Sequence, residues 1–214
     1  MLVAITILII ISHISCASWE PKIIDKIDVK YPGFVSFIPS TNGHSYHLAI
    51  TSFNGAPFSA DHVYYVPNYT GTTPPKQIIE LSHNNVVWPN EATFTSSSIL
   101  SEKFDKYGGL LVPGGFLVPT KDNGGLYYYP FESADRSTIS DQPPFEFTSR
   151  TLSNTTWFYH RVKLVDLSGD GKLDLLTCRT HKPVVGTTRT QLVGFVLDEK
   201  TLVFEEKLVI DEAC

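Results

Sequence analysis

Oxygen-bearing side chains occupy the first, third, fifth and ninth places of Asp166-Leu-Ser-Gly-Asp-Gly-Lys-Leu-Asp174, namely Asp166, Ser168, Asp170 and Asp174. A tight loop that folds round one hard cation needs this spacing, since calcium takes about six to eight oxygen ligands. Gly171 permits the sharp bend, and the backbone carbonyl of Lys172 would complete the cage. Asp166, Ser168, Asp170, Lys172 and Asp174 are therefore the expected ligands of Ca2+. Carboxylates this close together repel one another unless a cation neutralises them, so the acidic spacing itself favours metal over an empty turn.

The segments that must position these residues read as strands. Arg161-Val-Lys-Leu-Val165 precedes the loop and Leu175-Leu-Thr-Cys178 follows it, both alternating or β-branched. An EF-hand would require a bidentate Glu at the twelfth place and flanking helices; the twelfth place here is Thr177. In a strand–loop–strand setting the residues resemble the calcium loop of FG-GAP/VCBS repeats, the blade units of integrin-α-like β-propellers, whose pattern is Asp-x-(Asp/Asn/Ser)-x-Asp-Gly-x-x-Asp-Leu. The resemblance implies propeller blades, a structural Ca2+, and a non-enzymatic binding or adhesion role toward an extracellular protein or glycan. It also implies a calcium loop that clamps a strand turn away from the ligand face.

The frame recurs along the chain. Phe34-Val-Ser-Phe-Ile38, residues 39–47, then Leu48-Ala-Ile-Thr51 form a first copy; Ile99-Leu100, residues 101–109, then Leu110-Leu-Val112 form a fainter second one. Leu48, Leu110 and Leu175 thus mark near-equal steps. After each marker comes a second strand: His62-Val-Tyr-Tyr-Val66, Gly125-Leu-Tyr-Tyr-Tyr129 and Gln191-Leu-Val-Gly-Phe-Val196, the middle one preceded by the hairpin signal Asp122-Asn-Gly124. Gln77-Ile-Ile-Glu-Leu81 and the strand at 201–210 would close their units. The metal ligands do not recur, so only the third copy is expected to bind calcium.

With 14 Gly, 14 Pro, 12% aromatic residues and no sustained 3.6-residue period, the chain reads as all-β. The expected architecture is about three four-stranded blades at 28–90, 91–152 and 153–214. Propellers close with about four to eight blades, so a homo-oligomer or the continuation of a longer chain is expected to complete the ring.

Residues 1–17 read as a secretory signal peptide: the apolar run at 1–11 is too short to span a bilayer, and Ser15-Cys-Ala17 offers small residues for cleavage. Secretion agrees with the sequons Asn68-Tyr-Thr70 and Asn154-Thr-Thr156 and with the even pair Cys178 and Cys214 left after cleavage, whose pairing stays open. A net charge of −5 without a basic cluster argues against a nucleic-acid partner, and no membrane span is expected. His44 and His47 read as turn residues, because three places apart on a strand they face opposite ways. Trp157-Phe-Tyr-His160 and Val86-Val-Trp-Pro89 read as core between neighbouring units, and the glycines of 108–115 as points of close backbone approach. No catalytic motif is present. The alternative function is an extracellular enzyme acting on polysaccharide or another polymer, with its site in the central channel; a degenerate remnant without a function of its own is the third reading.

Overall fold

The computed structural model describes residues 26–71, 75–82, 86–96, 98–100, 105–118, 120–148, 155–198 and 203–211. The signal-peptide region 1–17, Cys16, Cys214 and Asn154 of the second sequon lie outside the described residues, as does part of the second loop at 101–104.

Short β-branched and aromatic segments with side chains on alternate faces make twelve described strands. They are β1 (Pro32–Pro39), β2 (Tyr46–Ser52), β3 (His62–Tyr69), β4 (Ile79–Glu80), β5 (Thr93–Thr95), β6 (Gly109–Pro113), β7 (Leu126–Pro130), β8 (Phe145–Glu146), β9 (Phe158–Val165), β10 (Asp174–His181), β11 (Arg189–Asp198) and β12 (Val203–Asp211). The chain is all-β: three four-stranded antiparallel sheets, each with its strands in chain order. Among the described residues no helix is long and apolar enough to cross a membrane.

The register repeats between sheets. Leu48 pairs with Phe37, Leu110 with Phe94 and Leu175 with Leu164, so the three marker leucines hold one structural place and all are buried. Two sequence expectations are corrected. The first strand of the second sheet is Thr93–Thr95, not Ile99-Leu100. The amides of Ile99 and Leu100 are taken by the buried Asp105 carboxylate, at 2.7 Å and 3.1 Å, and have nothing left to give a ladder. Nor is Asp122-Asn-Gly124 the hairpin turn. Turn hydrogen bonds run instead from Lys121 N to Val118 O and from Phe116 N to Lys121 O. Gly124 instead permits close approach, since a Cβ there would overlap the Gly114 carbonyl.

The core lies between the sheets. Ile38, Ala49, Val63 and Tyr65 of the first sheet pack on Leu110, Val112, Tyr127 and Tyr129 of the second. On its other face the second sheet sets Leu111, Leu126 and Tyr128 against Trp157, Tyr159, Val162, Leu175, Val193 and Phe195. An aromatic ladder crosses one end of this stack: Phe53 on Trp88 at 4.4 Å, Trp88 on Phe116 at 5.0 Å, then Phe116 against Phe158 at 6.2 Å. Trp88 and Trp157 are therefore core, as their position before first strands suggests.

Candidate metal centre

The turn between β9 and β10 is built on two carboxylates. Asp166 Oδ1 accepts from the amides of Gly169 at 2.6 Å and Asp170 at 3.2 Å, and its Oδ2 accepts from Gly171 at 2.9 Å. Asp174, buried at the head of β10, takes the amides of Leu167 and Ser168 on Oδ2 at 2.9 and 3.0 Å. Gly169 and Gly171 have φ of 77° and 85° with open space beside them, so they are needed for their dihedrals rather than for room.

Asp170 stands exposed on the loop, and Oδ1 accepts from Lys172 N at 2.9 Å. That amide, helped by the Ser168 hydroxyl, holds its carboxyl below the usual range and keeps it charged. Ser168 Oγ lies 3.5 Å from Asp166 Oδ1. Sequence spacing thus brings Asp166, Ser168 and Asp170 together on one rim and ties Asp174 to the same turn. Among the described residues, however, no three acidic, His or Cys side chains converge as a metal-holding group. The donor chemistry suits a hard cation, since every candidate ligand is oxygen; Asp166 Oδ2 and Asp170 Oδ1 each spend one of two lone pairs on an amide, whereas Asp166 Oδ1 and Asp174 Oδ2 each take two amides. Closure round an ion would require the exposed Asp170 to swing inward.

The same register place in the first sheet holds His47, which pairs with Ile38 as Asp174 pairs with Val165. His47 is buried; its Nδ1 accepts from Asn68 N at 3.1 Å, which leaves Nε2 to donate to the Asp135 carbonyl at 2.9 Å. Both sheets therefore seat a buried polar group at the head of their second strand, a carboxyl group in one and an imidazole in the other. Burial lowers the His47 pKa below 6.5, outweighing the Asp135 carbonyl and carboxylate that raise it. Its neutral form thus contributes stability that is present above pH 6.5 and lost as the pH falls through and below that value, where the unfolded chain gains a proton the folded one refuses. Urea midpoints should decline on acidification from pH 7 to 5, and His47→Gln should reduce that slope.

Antiparallel order puts the 40–45 and 166–173 turns at one end of the stack and the second-to-third-strand loops at the other. The loop preceding β3 and the loop preceding β7 meet there: Phe58 N donates to Thr120 Oγ1 at 3.3 Å. Between them lies a cavity of about 360 Å³ lined by Phe58, Ser59, Asp61, Val86, Thr120 and Lys121. Phe58 is 88% exposed at its rim. Val184 and Val185 of the β10–β11 loop are exposed as well.

Sequence reasoning missed the buried pair Asp61 and Lys121 and the capping role of Asp105. It also passed over a readable signal, the aromatic–proline steps Tyr31-Pro32 and Trp88-Pro89. Both aromatics have positive φ, 48° and 41°, and both accept from the backbone that leaves the second strand, Phe53 N to Tyr31 O and Gly115 N to Trp88 O. Asn68 is exposed, as a glycosylation acceptor must be, and Cys178 is disulfide-bonded. No protein-family model, curated protein or solved structure matches the chain.

Proposed function

We propose that this chain is a secreted, calcium-stabilised β-propeller segment that binds an extracellular protein or glycan and performs no chemistry. The observation that carries the reading is the 166–174 turn: an oxygen-only donor set on a loop whose amides are already ordered by Asp166 and Asp174. Asp166, Ser168, Asp170, the Lys172 carbonyl and Asp174 would hold the ion, which supplies a charge clamp between β9 and β10. Stacked four-stranded sheets of matched register support blades, and the apolar run at 1–11 supports export. The loops at the far end, with Phe58 at a cavity rim, are the natural contact surface for a ligand.

Thermal melts test the reading. Calcium at a hundred times Kd stabilises the fold by about 2.7 kcal/mol, which raises the Tm of a chain this size by roughly 5–10 °C. Asp170→Ala should melt like the parent in EDTA and fail to gain in calcium. A parent melt that ignores calcium would remove the ion from the proposal. A calcium-stabilised protein that captures nothing from glycan and matrix-protein panels would remove the binding role and leave the clamp.

A further inference from the structure

One hydrogen bond between neighbouring sheets recurs at the same register place. Ser36 Oγ on β1 donates to the carbonyl of Ala92 at 2.7 Å, and Thr93 Oγ1 on β5 donates to the carbonyl of Val162 at 3.2 Å. Ser36 pairs with Ala49 and Thr93 with Leu111, each one step past a marker leucine, so the two hydroxyls hold the same register place. In the third sheet that place belongs to Lys163, paired with Leu176. The acceptors are equivalent too. Val162 sits one residue before Lys163, Ala92 one before Thr93, and Val35 one before Ser36. The series therefore has a next donor, Lys163, and a first acceptor, the Val35 carbonyl, at opposite ends of the stack.

Each end also presents an apolar face. Leu110 and Leu175 are buried against the preceding sheet. Their equivalent Leu48 shares its face with Ile50, Tyr64 and Val66; all four are buried beneath Ile27, Val29 and Tyr69, so among the described residues the open part of this face is its β1 side. On the same face Val35 and Phe37 remain 51% and 59% exposed. At the other end the register sets Leu176 beside Gly194, and Leu192 beside Ile210, on the face of the third sheet turned away from the core; Ile210 is exposed. A sheet apolar on both faces belongs between two layers.

We propose that a second copy of this chain covers both faces, the outer face of its third sheet resting on the first sheet, with the Lys163 ammonium of one copy donating to the Val35 carbonyl of the other. A second copy is favoured because the contact continues an interface the chain already makes twice, with the same register places on both sides. The contact is head-to-tail, and such contacts close when the rotation permits. Two copies bring six sheets, within the range of about four to eight at which stacked sheets close into a ring. The inference rests on the stack and its register and is independent of calcium.

Native mass spectrometry and light scattering on the full chain at micromolar concentration should give twice the chain mass. Phe37→Glu should weaken association by about thirtyfold or more with unchanged circular dichroism, since Phe37 is exposed in the single copy. Chains bearing Lys163→Cys, mixed with chains bearing Val35→Cys, should form a mixed disulfide, and neither variant should cross-link to itself. A monomeric parent would give the faces to another occupant, whether further sheets of a longer chain or a different protein, and would overturn the proposal. Self-cross-linking by either variant alone would overturn it as well.

Discussion

Lys121→Met is expected to destabilise the fold by about 3–5 kcal/mol, because it removes one partner of a buried ion pair and strands the other. Lys121 Nζ lies 2.6 Å from Asp61 Oδ2, and the two side chains are only 5% and 1% exposed. The pair ties three separate pieces of chain together. Asp61 also accepts from Asn54 N at 3.0 Å and from Trp88 N at 2.8 Å, while Lys121 donates to the Ser59 carbonyl at 2.5 Å. Met keeps the length of the stem and loses the charge, so the loss reports electrostatics rather than packing. Urea unfolding should show a lower midpoint with the slope unchanged. Adding Asp61→Asn to Lys121→Met should recover part of the loss, since the uncompensated charge is then gone. A double variant no better than the sum of the two singles would show that the pair is not coupled and that the clamp lies in its backbone contacts.

How far the sequence could be read follows from the range of each interaction. Strand identity and the marker leucines were legible because alternation and the leucine steps are local patterns, and the register of the first and third sheets follows the sequence frame from Val35–Ile50 to Ile38–His47 and from Val162–Thr177 to Val165–Asp174, with a bulge beyond Thr177. The second sheet departs from it. There the frame sets Asp105 at the place of Asp170, yet Asp105 is buried and Asp170 exposed. A carboxylate shows its type in the sequence but not its donors, and the donors decide whether it caps a loop or faces water. Asp61 and Lys121 are equally opaque, being 60 residues apart with no local pattern that couples them. The 166–174 turn was legible in spacing and in its glycines, whose positive φ the bend requires. The direction of each carboxylate was not, because it depends on which backbone amides reach it first.

Asp105→Ala should cost about 4 kcal/mol, since it leaves several buried donors without an acceptor at once. Asp105 Oδ2 accepts from Ile99 N at 2.7 Å and Tyr128 OH at 2.8 Å, and Oδ1 accepts from Ser98 Oγ at 2.5 Å. Leu100 N also donates to Oδ2, at 3.1 Å. Burial raises the Tyr128 pKa, and the Asp105 charge adds to it, so the phenol stays protonated and remains a donor throughout the neutral range. The group sits where the loop preceding β6 meets the cluster between the second and third sheets, so its loss loosens Ile99 and Leu100 from that core. Asp105→Asn keeps the shape and one acceptor oxygen and should retain roughly half of the lost stability. Tyr128→Phe removes a single donor and should cost about 1 kcal/mol, as an ordinary buried hydrogen bond does. Equal losses for Asp105→Ala and Tyr128→Phe, measured by urea midpoint, would mean that the loop amides find other acceptors and that the carboxylate is not what holds this loop out of the sheet.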